Sequence, residues 1–137
     1  MQREVLEARR EVLGPRHPGT LTTMGNLANT LSHQGKHAEA EAMDREVLEA
    51  RREVLGPRHP GTLATMNNLA TTLRAQGKHA EAEAMQREVL EACREVLGPR
   101  HPDSLTTMAN LANTLLHQGK HADAEATERE VLEALSA

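Results

Sequence analysis

The sequence repeats itself with a period of 42 residues. The segment REVLEARREVLG begins at Arg3 and again at Arg45, and REVLEACREVLG begins at Arg87. Three complete units and the start of a fourth follow from this spacing: 1–42, 43–84, 85–126 and 127–137. Units that recur in register pack on their neighbours rather than folding alone. The sequence therefore predicts one solenoid domain that spans the whole chain, residues 1–137.

Two helical patterns alternate within each unit. Apolar or small residues fall three or four apart, as at Leu21, Met24 and Leu27, which is the spacing of an amphipathic helix. Gly35 and Gly56 interrupt the patterns at positions typical of a helix end. No stretch alternates with period two, so strands are not expected. An all-α chain with a leading half helix is predicted, with seven helical segments near 1–13, 18–34, 37–55, 60–76, 79–97, 102–118 and 121–136.

The motif LGPRHP marks the corner between units. A glycine supplies the left-handed cap, the first proline prevents the helix from continuing, and the second suits the first turn of the next helix. The histidine before that proline is expected to be extended. Asp103 in the third copy adds a favourable charge at the helix N-terminus. The remaining residues of the motif are candidates for anion binding at a helix N-terminus: Arg16, His17, Arg58, His59, Arg100 and His101.

A period of 42 residues suits several helical repeats, so the small residues decide between them. Each unit carries the frame Met24-x2-Leu27-Ala28-x2-Leu31-x3-Gly35-x4-Ala40, together with QGKHAEAEA and VLGPRHP. In these features the chain resembles the tetratricopeptide (TPR) repeats of the kinesin light chain type. The resemblance implies a right-handed α-solenoid of antiparallel helix pairs, here called helix A and helix B. The near-identity of the units indicates recent duplication or a consensus-designed array, and a fragment of a longer array is an equal alternative.

The chain departs from that family where aromatic residues are usual. Met24, Leu31, His37 and Asp44 stand at such positions, and the whole chain has no Phe, Tyr or Trp. The fourth position is polar in every copy, so it is expected to be solvated or polar: Gln2, Asp44, Gln86 and Glu128. The core is therefore expected to be thinner than in relatives that bury aromatic rings there.

Differences between the units are concentrated on one face of helix A. Ten of the 42 positions vary, and five of them follow one another at spacings of 3, 4, 3 and 1 along this helix. In the TPR family this stripe lines a concave groove that holds extended peptides. The predicted groove residues are Thr22, Asn26, Asn29, His33, Asn67, Asn68, Thr71, Arg74, Thr106, Asn110, Asn113, Leu116 and His117. The alternative is free drift at solvent-exposed positions, which tolerate most substitutions.

The carboxylate clamp of some TPR proteins is only half matched. Asn29 and Asn68 stand at its two asparagine positions, but Gly25, Thr106 and Asn110 replace its basic residues. The groove thus lacks the positive charges that would bind the carboxylate of a chaperone tail. Its amides can still donate to and accept from a peptide backbone.

Other function classes find little support. The net charge is -4 and there is no aromatic side chain, which argues against phosphate contacts and excludes base stacking. No membrane span or signal peptide is apparent, so a cytoplasmic location is expected. Pairs such as His33 and His37 are separated by a glycine, so neither a metal nor a cofactor is predicted. Cys93 replaces Arg51 of the preceding unit and is expected on the exposed face of helix B as an inert thiol.

The predicted function is a non-catalytic interaction scaffold that binds an extended peptide or a partner helix in the groove. The sequence contains no phosphate loop or hydrolase motif, so an enzyme is not expected. The alternative is a self-associating array, because a solenoid without polar caps exposes apolar residues at both ends. These residues are Val5, Leu6 and Val12 at one end and Val131, Leu132 and Leu135 at the other.

Overall fold

The structure, a computed structural model, describes residues 18–136, which form six helices and no strand. In chain order they are α1 (Pro18–His33), α2 (His37–Val54), α3 (Pro60–Ala75), α4 (His79–Val96), α5 (Pro102–His117) and α6 (His121–Ser136). Six of the seven predicted segments agree with these bounds to within one residue. The seventh, near 1–13, lies outside the described residues, as do Gln2, Arg16 and His17. The helices α1, α3 and α5 are the predicted helices A, and α2, α4 and α6 are the helices B.

Glycines with positive φ form both kinds of turn. Gly35 has φ 82° at the end of α1, and Gly56 has φ 98° between α2 and α3. Only glycine adopts these conformations without strain, so both predicted left-handed caps are confirmed. The proline that follows each corner begins the next helix, as Pro60 does for α3. The short turns fold consecutive helices back on each other.

Each helix packs mainly against the helices before and after it in the sequence, which makes a stack of hairpins. Ala28 and Ala40 are both fully buried between α1 and α2, which confirms that small side chains are needed there. Leu and Met side chains of helix A and Val and Ala side chains of helix B fill the rest of the core. We call the contact of α2 with α3 the first junction and the contact of α4 with α5 the second junction.

Each junction carries the same polar clasp on its outer side. Glu41 accepts hydrogen bonds from Gln76 at 2.6 Å and Lys78 at 2.9 Å across the first junction, and from Arg45 on its own helix at 2.8 Å. Hydrogen bonds from Arg45, then Lys78 and Gln76, lower the pKa of Glu41 to about 2. Glu83 forms the same clasp at the second junction with Lys120, Arg87 and Gln118, and its pKa is also lowered to about 2.

At the first and second junctions the polar position that replaces a usual aromatic is buried, so the prediction of solvation is wrong for Asp44 and Gln86, whereas Glu128 on α6 is exposed as predicted. Asp44 is 3% exposed and Gln86 is 0% exposed, because this position on helix B faces the next helix A. Asp44 Oδ2 accepts a hydrogen bond from the Thr72 hydroxyl at 3.3 Å. Burial raises the pKa of Asp44 to about 6, and the bond from Thr72 opposes the shift. The Gln86 amide nitrogen and oxygen have no partner among the described residues.

Candidate functional site

The predicted stripe faces solvent on all three helices A. The side chains of Asn26 and Asn68 are exposed and that of Asn110 is half-buried, whereas adjacent core positions such as Leu27 and Leu69 are buried. The other predicted groove residues are likewise exposed or half-buried. The amphipathic pattern therefore separates the packing face of each helix A from a polar, solvent-facing surface.

A pocket of about 260 Å³ opens beside this surface at the second junction. It brings together five of the predicted groove residues: Asn67, Asn68, Thr71, Thr106 and Asn110. Pro60, Leu63, Ala64 and Leu97 supply its apolar wall, and Cys93 and Asp103 complete the lining. Asn113 lies instead in a separate hollow against α6, next to Val131 and Leu132.

A short hydrogen-bonded chain fixes the amide of Asn67 in the pocket. The Thr107 hydroxyl donates to the carbonyl oxygen of Asp103 at 2.9 Å, so from Asn67 it can only accept. The Asn67 amide nitrogen donates to that hydroxyl at 3.2 Å, so the amide oxygen points away from the hydroxyl. This oxygen is buried and has no hydrogen-bond partner among residues 18–136. Asn67 therefore brings an unsatisfied acceptor to the pocket wall, but this atom is shielded from solvent while the amide is bound to Thr107.

The expectation that Cys93 lies on the exposed face of helix B is wrong, because the residue is only 2% exposed. Cys93 follows Val89 by four residues, which places both side chains on one face of α4, and both join the core cluster formed with the leucines of α3. Burial raises the pKa of the Cys93 thiol; the neighbouring Thr107 hydroxyl opposes the shift and the Asp103 carboxylate adds to it. A protonated thiol is a poor nucleophile, so no catalytic role follows.

Arg51 holds the equivalent position at the first junction. Its guanidinium donates to the Gly61 carbonyl oxygen at 3.2 Å and to the Thr65 hydroxyl at 2.9 Å. The change from Arg51 to Cys93 thus removes a cation and most of a long side chain from this place. Sequence reasoning missed Cys93 and Asp103 as lining residues, although both had been available as positions that differ between units.

Near the C-terminal ends of the helices A, some side chains of the stripe have contacts within the protein and others do not. The Arg74 guanidinium is half-buried, and its Nη1 atom has no hydrogen-bond partner in the described part of the chain. His117 lies 2.7 Å from the Asn113 carbonyl oxygen, and its ring stacks on that of His79 with centroids 5.7 Å apart. His33 lies at the same distance from the Asn29 carbonyl oxygen.

Three of the predicted anion-binding residues, Arg58, His59 and His101, have partners within the protein. The Nδ1 atom of His59 accepts the Gly61 backbone N–H at 3.0 Å, and that of His101 accepts the Asp103 backbone N–H at 3.1 Å. Arg58 pairs with Glu95 of the next helix B. These histidines act as helix caps, a role that the sequence pattern did not suggest. Anion binding at Arg58, His59, Arg100 and His101 stays a prediction, and an anion there would compete with the cap.

Neither a metal site nor a membrane helix is found within residues 18–136. In that range, no three His, Cys, Asp or Glu side chains are grouped as metal ligands would be. Nor does any helix there combine the length and apolar character that a bilayer crossing requires.

Comparison with known proteins identifies the repeat. The tetratricopeptide repeat family model matches residues 1–53, 26–95 and 67–137, which together span the chain. A search of curated proteins found no match.

Solved structures share the fold at low sequence identity. One is a putative kinesin light chain from Podosopora anserina with nearly identical TPR-like repeats, at 24% identity and a TM-score of 0.86; 98% of this chain aligns with 64% of that one. A single-substitution variant of the same protein gives 24% identity and a TM-score of 0.87, with 97% and 63% covered. BtubC (BKLC) from P. vanneervenii gives 20% identity and a TM-score of 0.89, with 98% and 54% covered. The chain thus spans less than two thirds of the length of these structures.

Proposed function

The chain belongs to the tetratricopeptide repeat family, and from this premise we propose that it is a non-catalytic scaffold that binds an extended peptide along the stripe of α1, α3 and α5. Repeats of this family generally mediate protein–protein interactions. The observations that support the stripe as the binding face are the exposed asparagines Asn26 and Asn68 and two polar atoms of α3, Asn67 Oδ1 and Arg74 Nη1, that are shielded from solvent and have no hydrogen-bond partner within residues 18–136.

Both atoms are shielded from solvent in the free chain, so a ligand reaches them only when the two side chains turn outward. Asn67 and Arg74 are seven residues apart on one helix, which separates them by about 10 Å along its axis. An extended peptide advances about 3.3 Å per residue, so about three residues bridge that distance. One atom is an acceptor and the other a donor, and a peptide backbone offers both partners. The exposed asparagines Asn26 and Asn68, with the half-buried Asn110, extend the same chemistry across the units.

Affinity selection from a library of extended peptides tests this proposal. Calorimetric titration of a selected peptide should give a dissociation constant about five- to tenfold higher for Asn68→Ala and for Arg74→Ala, because each removes a hydrogen-bonding group from the stripe. Arg87→Ala, on helix B away from the stripe, is the matched control and should leave affinity unchanged. Binding that no stripe substitution weakens would refute the groove.

A second candidate function is self-association, and it is favoured by the outer face of α6. Leu132 is 63% exposed and Leu135 is 67% exposed, whereas the equivalents of Leu132 in the earlier units, Leu48 and Leu90, are buried against the next helix A. A second copy of the chain could cover this face in a head-to-tail contact. The residues expected at the other end, Val5, Leu6 and Val12, lie outside the described part of the chain.

Size-exclusion chromatography with light scattering tests this second candidate. Self-association through α6 predicts a mass that rises with protein concentration, and Leu132→Glu should restore the monomer. A monomer at every concentration would exclude it. The cytoplasmic location also stays a prediction, which fractionation of cells that express the chain would check.

A further inference from the structure

The pocket at the second junction gathers the positions at which the units differ. Six of its eleven lining residues stand at positions that vary between units: Ala64, Asn67, Thr71, Cys93, Asp103 and Thr106. Drift at exposed positions explains some of these changes. It does not explain Cys93, which is buried and still differs from Arg51. The residues that line this pocket at the second junction therefore differ from those of the other units at buried as well as exposed positions.

The divergence reverses the charge of the pocket. At the first junction the equivalent positions hold Arg51 and Gly61, and at the second they hold Cys93 and Asp103. A cation is lost and a carboxylate is gained. None of the described residues that line the pocket is Lys or Arg. The His101 ring lies beside the Asp103 carboxylate: its Nδ1 atom is 3.9 Å from Asp103 Oδ2 and accepts the Asp103 backbone N–H.

The remaining polar groups add acceptors rather than cations. The Asn67 amide oxygen is buried and unpartnered among the described residues, and its orientation is fixed by the bond from the amide nitrogen to Thr107. The Asp103 side chain is 66% exposed, so its carboxylate stands at the opening and stays accessible to a ligand. Apolar atoms of Pro60, Leu63 and Leu97 line the same space. An apolar wall with two acceptors suits an alkyl chain that ends in a charged donor.

We infer that this pocket is a subsite for a lysine side chain of the bound peptide, with its ammonium group held by the exposed Asp103 carboxylate and with Asn67 Oδ1 as a second acceptor once its amide turns from Thr107 toward the ligand. The volume of about 260 Å³ is at the low end for a small-molecule pocket, and it suits one side chain. Cys93 contributes by being short, since an arginine at that place would fill the space and repel the ammonium. This inference rests on the proposed peptide-binding function and specifies what its central subsite prefers.

The test uses three acetylated, amidated pentapeptides of sequence Trp-Ala-X-Ala-Ala, in which X is Lys, Nε-acetyl-lysine or Glu. The chain has no Trp or Tyr, so the fluorescence anisotropy of the peptide tryptophan reports binding directly. The full chain should bind the Lys peptide about fivefold more tightly than the acetylated one, and the Glu peptide least, because only Lys carries the positive charge. Equal binding of Lys and acetyl-lysine, or no binding of the Lys peptide, would overturn the inference.

Substitutions taken from the chain's own units supply matched variants. Cys93→Arg, which reproduces the first junction, should weaken the Lys peptide about tenfold or more, and Asp103→Gly should weaken it by about two- to fivefold. Arg51→Cys, the reciprocal change at the other junction, should change it by less than about twofold, because it lies outside this pocket. Helical content by circular dichroism should be equal in all variants. Lys-peptide affinity that is unaffected by both Cys93→Arg and Asp103→Gly would refute the assignment.

The peptide selected from the library separates the two proposals. If the affinity of that peptide depends on Asn68 and Arg74 but the Lys pentapeptide does not bind, the groove proposal is supported and the lysine subsite is refuted. If no ligand depends on any stripe residue, both proposals fall.

Discussion

The two junctions between repeat units share most of their sequence but differ in the chemistry that they bury and expose. The first junction buries the carboxyl of Asp44 under Thr72 and fills its inner side with Arg51. The second buries the amide of Gln86, which has no partner within residues 18–136, and replaces the arginine with Cys93, beside an open pocket. The outer clasps of Glu41 and Glu83 are the same in both.

The comparison separates what a repeat must keep from what it can change. The clasp and the small alanines recur in both units, whereas the buried polar position and the Arg51 position differ although the equivalent helices have the same bounds in both units. Both junctions carry a polar group that reduces their stability, one by desolvation of a carboxyl and the other by an unsatisfied amide. The first penalty depends on pH and the second does not.

The largest expected effect is that of Asp44→Asn. The pKa of Asp44 is raised from 3.8 to about 6 in the folded state, so the folded state holds its proton more tightly than the unfolded state. Stability therefore falls as pH rises from about 4 to about 6. The variant should be more stable by about 2 kcal/mol at pH 7 and by much less at pH 4 in urea unfolding.

A matched change at the other junction checks this account. Gln86→Asp should impose the same loss of stability with rising pH on the second junction. An Asp44→Asn gain that is the same at pH 4 and pH 7 would show that desolvation of the carboxyl is not the cause.

Gln86→Met is expected to stabilise the chain by about 1–2 kcal/mol at any pH. Methionine has a similar volume and shape, and it removes two buried polar atoms that lack partners among the described residues. Urea unfolding at pH 5 and pH 8 should give the same gain. A loss of stability would mean that the amide of Gln86 is satisfied in solution, for instance by a bound water.

Arg51→Cys should lower the free energy of unfolding by about 1 kcal/mol. It removes two hydrogen bonds from a half-buried guanidinium, to the Gly61 carbonyl oxygen and the Thr65 hydroxyl. Cys93→Arg should raise stability by a smaller amount, because Thr107 and the Asp103 carbonyl stand at the equivalent places. Thermal unfolding of the two variants in parallel checks both predictions. Two changes in stability of the same sign would contradict the expected difference between the junctions.

The smallest effects are expected for Glu41→Gln and Glu83→Gln, which should each cost under about 1 kcal/mol at pH 7 and should match each other. Because both pKa values are lowered to about 2, the stabilisation by these carboxylates is present above about pH 4.5 and is lost as pH falls toward 2. Measuring the free energy of unfolding between pH 5 and pH 2 checks this. The double variant should lose less stability over this range than the unsubstituted chain. Unequal costs for the two variants would show that the clasps are not equivalent.

Periodicity and turn chemistry were enough to predict the fold. The glycines, the prolines and the spacing of Leu27 and Leu31 determine where helices begin, end and pack, so six helices were predicted to within one residue. Local pattern could not predict that Cys93 and Asp44 are buried. Cys93 stands where another unit has an arginine, and Asp44 is a charged residue in place of a usual aromatic, so both positions suggested solvent exposure. Packing against the next helix A decides burial there, and that contact joins residues far apart in the sequence.

The candidate site was predicted in part. The variable stripe on helix A is readable from the repeat, but the lining from Cys93 and Asp103 depends on how two units meet. His59 and His101 as helix caps were also missed, since histidine is not among the usual capping residues.

Amide chemical-shift mapping with the selected peptide tests the central claim, that the polar stripe of helices A is the binding face, most directly. The account predicts perturbations that are largest at Asn67, Asn68, Thr106 and Asn110 and small on the outer face at Arg87 and Glu88. Perturbations confined to helices B, or to the exposed leucines of α6, would contradict it.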